Sequence, residues 1–154
     1  MTNSMAHSRG RRNPADGRAA SRRAASAVGV LFLVIGVLGF IPGVTTSYGD
    51  IRFAGHGSGA ELFGVFQVSV LHNVVHLLFG VAGLMMSKTV TGARTFLVGG
   101  GAIYLVLWLY GLVVDHGSGA NFIPVNGADN WLHLLLGLGM IGLGLLTTRD
   151  LNRR

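Results

Sequence analysis

Not one cysteine occurs among the 154 residues. That excludes a disulfide framework, a thiolate nucleophile and a thiolate-held metal. Charge is scarce as well: only 12% of residues are Asp, Glu, Lys or Arg, against about a quarter in an ordinary soluble domain. Acid is scarcest, with 6 Asp+Glu against 12 Lys+Arg. No paired-carboxylate or Ser–His–Asp arrangement is specific enough to name an enzyme. What the chain has in quantity is apolar side chains, half of all residues, and 25 glycines.

The apolar residues gather in four long stretches: Ala24 to Val44, Leu62 to Met86, Thr95 to Val114, and Trp131 to Leu146 with Ala128 upstream. A hydrocarbon core about 30 Å thick needs roughly 20 helical residues, so each is long enough to span, the last marginally. None carries Lys or Arg, the costly residues at mid-membrane. Helices of a soluble bundle would each show a polar outer face, and these mostly do not. The expected architecture is therefore all-α, an integral-membrane four-helix bundle with helices at about 24–44, 62–87, 95–114 and 128–147.

Basic residues orient it. Arg9, Arg11, Arg12, Arg18, Arg22 and Arg23 precede the first helix, Lys88 and Arg94 lie between the second and third, and Arg149, Arg153 and Arg154 follow the fourth. Only Arg52 falls on the other side. The positive-inside rule places both termini in the cytoplasm, in the plasma membrane. A pI near 11.1 is on this reading a topology signal, with attraction to anionic lipid, and no nucleic-acid partner is expected. Residues 1–23, rich in Arg, Ser, Ala and Gly, read as a disordered cytoplasmic tail, residues 24–148 as the membrane domain, and 149–154 as a short basic cytoplasmic tail. The first apolar run is long and has no clear small-residue cleavage site, so it is expected to be retained rather than removed as a signal peptide.

The chain also repeats itself. His56-Gly57-Ser58-Gly59-Ala60 recurs as His116-Gly117-Ser118-Gly119-Ala120, and Asn73-Val74-Val75-His76-Leu77-Leu78 aligns with Asn130-Trp131-Leu132-His133-Leu134-Leu135. This pattern predicts two repeated helical hairpins of parallel topology, with a pseudo-twofold axis along the membrane normal. At 100° per residue, Ser69, His72, Asn73, His76, Gly80 and Gly83 share one arc of the second helix. Asn126, Asp129, Asn130, His133, Gly137 and Gly144 share the equivalent arc of the fourth. In lipid, small and polar residues do the work of helix association, so the two stripes are expected to meet each other. Ser69 and Asn126 suit N-cap positions, and Asn126 with Asp129 has the spacing of a capping box. If the second helix begins after Ser69, Leu62 to Val68 becomes an interfacial or re-entrant approach.

These residues carry a family resemblance. The segments "LHNVVHLLFGVAGLMMS", "YLVLWLYGL" and "PVNGADNWLHLLLGLGMIGLG" together resemble the small four-helix bacterial membrane proteins grouped as domain of unknown function 4383. The resemblance covers roughly residues 24 to 148, and the doubled Asn-x-x-His-Leu pattern is its most specific part. It implies a four-helix bacterial membrane protein and no established activity, substrate or cofactor.

The residues themselves leave several roles open. Ionisable groups at membrane depth are the default site hypothesis. In the leading reading Ser69, Asn73, Asn126 and Asn130 form a structural polar cluster that links helices with His72, His76, Asp129 and His133, and no cofactor is bound; Asp129 and His133, four apart, could pair along their helix. A second reading converges His72, His76, Asp129 and His133 on Zn, Fe or Cu. A third gives haem b the axial ligands His76 and His133, and a fourth makes the His–Asp chain part of a small transporter or proton relay. His56 and His116 read as loop residues. The expectation is a non-enzymatic structural or accessory component whose partners are the bilayer, a second copy or a larger membrane complex. The alternatives are a haem- or metal-binding redox subunit and a proton-relay or transport component.

Overall fold

The computed structural model describes residues 14–148, and among these it forms four α-helices whose ends are set by capping chemistry rather than by hydropathy. The elements are α1 (Pro14–Leu38), β1 (Thr45–Thr46), a 3-10 turn (Tyr48–Asp50), β2 (Glu61–Leu62), β3 (Phe66–Gln67), α2 (Val70–Met86), α3 (Val90–Val113) and α4 (Gly127–Thr148).

The first helix starts ten residues earlier than its apolar run. Proline at the first helical position is pre-organised for the turn, Asp16 sits where the helix dipole favours an anion, and the alanines that follow are strong helix formers. Residues 14–23, expected as tail, are helical and packed: Ser21 is buried, and Gly17 lies against the Thr147 carbonyl of α4. Residues 1–13 and 149–154, the rest of both expected tails, lie outside the described residues.

The second helix is shorter than its apolar run. Ser69 takes an extended backbone and accepts the His72 N–H on its hydroxyl, which opens α2 at Val70. The preceding residues form a small antiparallel sheet in the order β1-β2-β3, with Thr45 opposite Leu62 and Leu62 opposite Phe66. Phe63 and Gly64 turn between β2 and β3, both at positive φ (56° and 67°). Leu62, Ala60 and Val68 make the buried side of this lid, packed by Ile35, Leu38 and Ile51. At the other end only Ser87-Lys88-Thr89 joins α2 to α3, with Thr89 capping the Gly92 N–H.

Three helical segments among the described residues, Ala15–Leu38, Val90–Val113 and Gly127–Thr148, are long and apolar enough to cross a membrane. The fourth, α2, has 17 residues, about 26 Å at 1.5 Å per residue, the short end of the spanning range. Large apolar side chains such as Leu78, Val106, Leu112, Leu135 and Leu146 stand more than half exposed. A water-soluble chain rarely tolerates so extensive an apolar surface. A bilayer accommodates it.

Packing pairs α1 with α2 and α3 with α4, while α2 and α4 do not pack along one another. Glycine makes the two tight crossings. Gly29 meets the backbone of Gly80 and Leu84, and Gly80 meets Leu33; Gly101 meets the backbone of Gly137 and Ile141, and Gly137 meets Leu105. A Cβ at any of these four would fall about 3 Å or less from backbone or side-chain atoms, so backbones this close need Gly. The expected α2–α4 contact through the polar stripes is therefore corrected. The glycines of each stripe serve the crossing inside their own hairpin, where only a residue without a side chain fits. Between the hairpins lies a core of Phe32, Phe96, Leu97, Tyr104 and Met140, with Phe79 packed against it.

Candidate functional site

Where the stripes leave the glycine crossings and approach the lid, α1, α2 and α4 diverge around a chamber of about 270 Å³. Its polar lining is His72 and His76 from α2 with Asp129 and His133 from α4; Leu31 and Ile35 of α1, Leu132 and Leu136 of α4, and Leu62, Phe63, Phe66 and Val68 of the lid make the rest. The four ionisable residues singled out in the sequence do share one space, although their helices do not touch along their length.

Local geometry assigns most of their atoms. Asn126 Oδ1 accepts the Asp129 N–H at 2.9 Å while Asp129 Oδ2 accepts the Asn126 N–H at 3.1 Å, the reciprocal capping box. The same Oδ2 takes the Gln67 N–H at 3.0 Å, and Asn126 Nδ2 donates to the Val65 carbonyl at 2.8 Å. The first turn of α4 is thus bonded to the lid. These bonds commit the carboxylate to backbone donors, and no Asp129–His133 pair forms.

His72 and His76 stack, with ring centroids 4.2 Å apart and 14° between planes. His76 Nδ1 lies 2.9 Å from the His72 carbonyl. A carbonyl only accepts, so Nδ1 donates, and in the neutral ring Nε2 is the acceptor. That acceptor faces the Tyr104 hydroxyl at 3.4 Å, a long bond. Tyr104 also approaches His133, ring to ring at 5.4 Å, and stacks on Phe32 at 5.4 Å and 7°; Phe32 meets His76 edge-on at 5.6 Å. Phe32 thus contacts the imidazole of His76, and Tyr104 that of His133. No group of three or more His, Asp or Glu side chains among the described residues comes together as a metal-binding set.

Asn73 and Asn130 leave the chamber altogether. Each carboxamide turns into its own hairpin, Asn73 onto Gly39 and Asn130 onto Gly111, at positions where any Cβ on the glycine would overlap it. Asn73 is fully buried with neither amide atom bonded within the protein. Asn130 Oδ1 and His133 Nδ1 are in the same condition. Ser69 and Asn126 cap α2 and α4 as expected.

Sequence reasoning missed Tyr104, Phe32 and Gln67. A phenol midway along an apolar helix was a usable signal, because a buried Tyr hydroxyl seeks a polar partner; Gln67 contributes through its backbone N–H, which no side-chain pattern reveals. The duplicated pentapeptides serve different ends. Ser58 is buried, accepting the Arg52 N–H and donating to the Val68 carbonyl, whereas Ser118 donates to the Asp115 carbonyl in an exposed turn. His116 Nε2 donates to the Gly111 carbonyl at the end of α3, a helix-terminating bond.

The chain belongs to the family described as domain of unknown function (DUF4383), whose pattern it matches over residues 22–146. No curated protein and no solved structure matches it.

Proposed function

We propose that the chain is a non-enzymatic, multi-pass component of the plasma membrane with a buried polar cluster in which Asn73 and Asn130 pack within their own hairpins, His76 meets Tyr104 across the hairpins, and Asn126 and Asp129 bond the lid. All four helices cross the bilayer, with both ends on the cytoplasmic side, where eleven of the twelve basic residues fall. The hairpins are two copies of one unit related by a pseudo-twofold axis. Matched contacts support this: one constant offset carries Gly29, Leu33 and Gly39 onto Gly101, Leu105 and Gly111, and another carries Ser69, Asn73 and Gly80 onto Asn126, Asn130 and Gly137.

The observation that carries the structural role is the engagement of His76 at both ring nitrogens, one with its own helix and one with Tyr104. A residue placed in this way connects α2 to α3 and has a neighbour at each ring nitrogen. An absorption spectrum and metal analysis of the purified protein test it. The expected result is no haem band and no stoichiometric metal, together with lowered thermal stability of His76→Gln and His133→Gln. A haem spectrum or a stoichiometric metal that disappears in those variants would overturn the reading.

One observation favours a second reading, a small transporter or proton-relay component. His133, with an unbonded Nδ1, lines the same chamber as His72, and imidazole is the side chain suited to carry protons near neutral pH. Proton flux into vesicles containing the protein, abolished by His133→Gln, would establish it over the structural role.

A further inference from the structure

At the opposite end of the bundle from the lid, the α2–α3 joint and the first turns of α1 enclose an open cleft of about 420 Å³. Its lining is Ala19, Arg22, Arg23, Ser26, Ser87 and Lys88. Three of these six are cations and no carboxylate is among them. One cation is fixed: Arg22 Nε donates to the Ser87 carbonyl at the end of α2 at 3.1 Å. The floor beneath is fixed too, because Ser26 Oγ donates to Ser87 Oγ at 2.8 Å and Ser87 Oγ donates to the Leu84 carbonyl at 2.8 Å. A guanidinium held through Nε keeps its Nη–H donors for another acceptor, and their fork matches phosphate oxygens.

The surface leading away from the cleft changes character at once. Arg23 begins an exposed stripe along α1 that continues through Ala27, Val30 and Val34 at helical spacing. Lys88 begins another along α2, through Met85, Val81 and Leu78. Both stripes start at cleft residues and descend along helices that face lipid. The combination is an anion site at the level of the headgroups with apolar tracks for acyl chains below it. Inorganic phosphate or a soluble phosphate ester would use only the first part.

We infer that this cleft binds the phosphate of an anionic glycerophospholipid, the headgroup on Arg22, Arg23 and Lys88 and the acyl chains along the exposed faces of α1 and α2. Basic pockets between membrane helices on the cytoplasmic side recognise anionic headgroups by the same charge logic. The inference rests on the membrane reading above, and the two fail separately. Extraction of the full chain from membranes by alkaline carbonate would refute the membrane reading whatever the headgroup preference.

The test is thermal unfolding of the full chain in neutral detergent, titrated in turn with phosphatidylglycerol, phosphatidylcholine of identical chains, and inorganic phosphate. Phosphatidylglycerol at a hundredfold excess over its Kd is expected to raise Tm by roughly 5–10 °C. The neutral lipid and inorganic phosphate should fall well short of that. Arg22→Gln and Lys88→Gln should each weaken the lipid effect at least fivefold, while Arg52→Gln, at the other end, leaves it unchanged. Lys88 is exposed, so its substitution keeps the test valid if Arg22→Gln misfolds. Equal stabilisation by phosphatidylcholine, an undiminished response in Lys88→Gln, or full reproduction of the shift by inorganic phosphate would each overturn the proposal, the last by reducing the cleft to an anion site without a lipid.

Discussion

The carboxamide of Asn73 on α2 rests directly on Gly39, just past the end of α1, so closely that the glycine has no room for a methyl group. This contact ties a buried intramembrane amide to the sequence's most abundant small residue. It also explains how the Asn side chain points within its hairpin: the glycine at the end of the neighbouring helix leaves room for the amide. Gly111 receives Asn130 in the same way.

Alanine at Gly39 or Gly111 should therefore destabilise the bundle by about 1–3 kcal/mol, the usual cost of forcing a side chain into a filled site. Gly99 and Gly139 are the internal controls, since a Cβ there meets nothing within 4 Å. Alanine at these exposed helical positions should leave stability unchanged or raise it by up to about 1 kcal/mol, through helix propensity alone. Thermal unfolding in one detergent separates the two classes. Equal effects at all four sites would show that the Asn–Gly seats are not tightly packed.

Asp129 joins the α4 cap to the lid through two backbone donors. Replacing it with Ala strands the N–H groups of Gln67 and Asn126, at about 1–3 kcal/mol for a buried unpaired group. Hydrogen exchange localises the outcome. Amides of the lid around residues 61–67 should lose protection in Asp129→Ala, with the α1–α2 crossing at Gly29 and Gly80 unaffected. Loss of protection throughout the chain would indicate a global role for the carboxylate.

Tyr104 contributes by volume more than by its hydroxyl. The bond to His76 is long at 3.4 Å, while the ring contacts Phe32, Phe79 and His133. Tyr104→Phe is accordingly expected to cost about 1 kcal/mol or less, and Tyr104→Ala about 3–5 kcal/mol as a large aromatic lost from a packed core. Unfolding measurements on the pair decide the matter. A Phe variant as damaged as the Ala variant would show that the hydroxyl dominates.

Hydropathy made the helices legible because lipid exposure leaves long uninterrupted apolar runs, and capping chemistry located Ser69 and Asn126. The lid was hidden by its size. Its strands are two residues each, and its turn places Phe63 at φ 56°, a conformation that glycine-based turn signals do not announce for an aromatic residue. Helix partnership was hidden for a different reason. The repeated Asn and His showed which positions correspond between α2 and α4, but correspondence under symmetry is not contact. Each stripe met the glycines of α1 or α3, which carry no side-chain signature. The chamber residues were recognised individually, yet their bonds, Asp129 to the lid and His76 to Tyr104, involve backbone N–H groups and a phenol on the next helix.

The natural absence of cysteine makes topology directly measurable, since any introduced thiol is unique. Ser47 and Ser118 lie in the segments that join α1 to α2 and α3 to α4, and Thr89 in the joint between α2 and α3. With both termini inside, Ser47→Cys and Ser118→Cys should react with a membrane-impermeant maleimide added to intact cells, whereas Thr89→Cys should react only after permeabilisation. This arrangement needs α2 to cross in its 17 residues, which local thinning and flanking polar residues permit at a modest cost per Å of mismatch. Labelling of Thr89→Cys in intact cells alongside Ser47→Cys would mean that α2 does not traverse the bilayer, and the positive charges around Lys88 and Arg94 would then lie on the wrong side for the inside rule to hold.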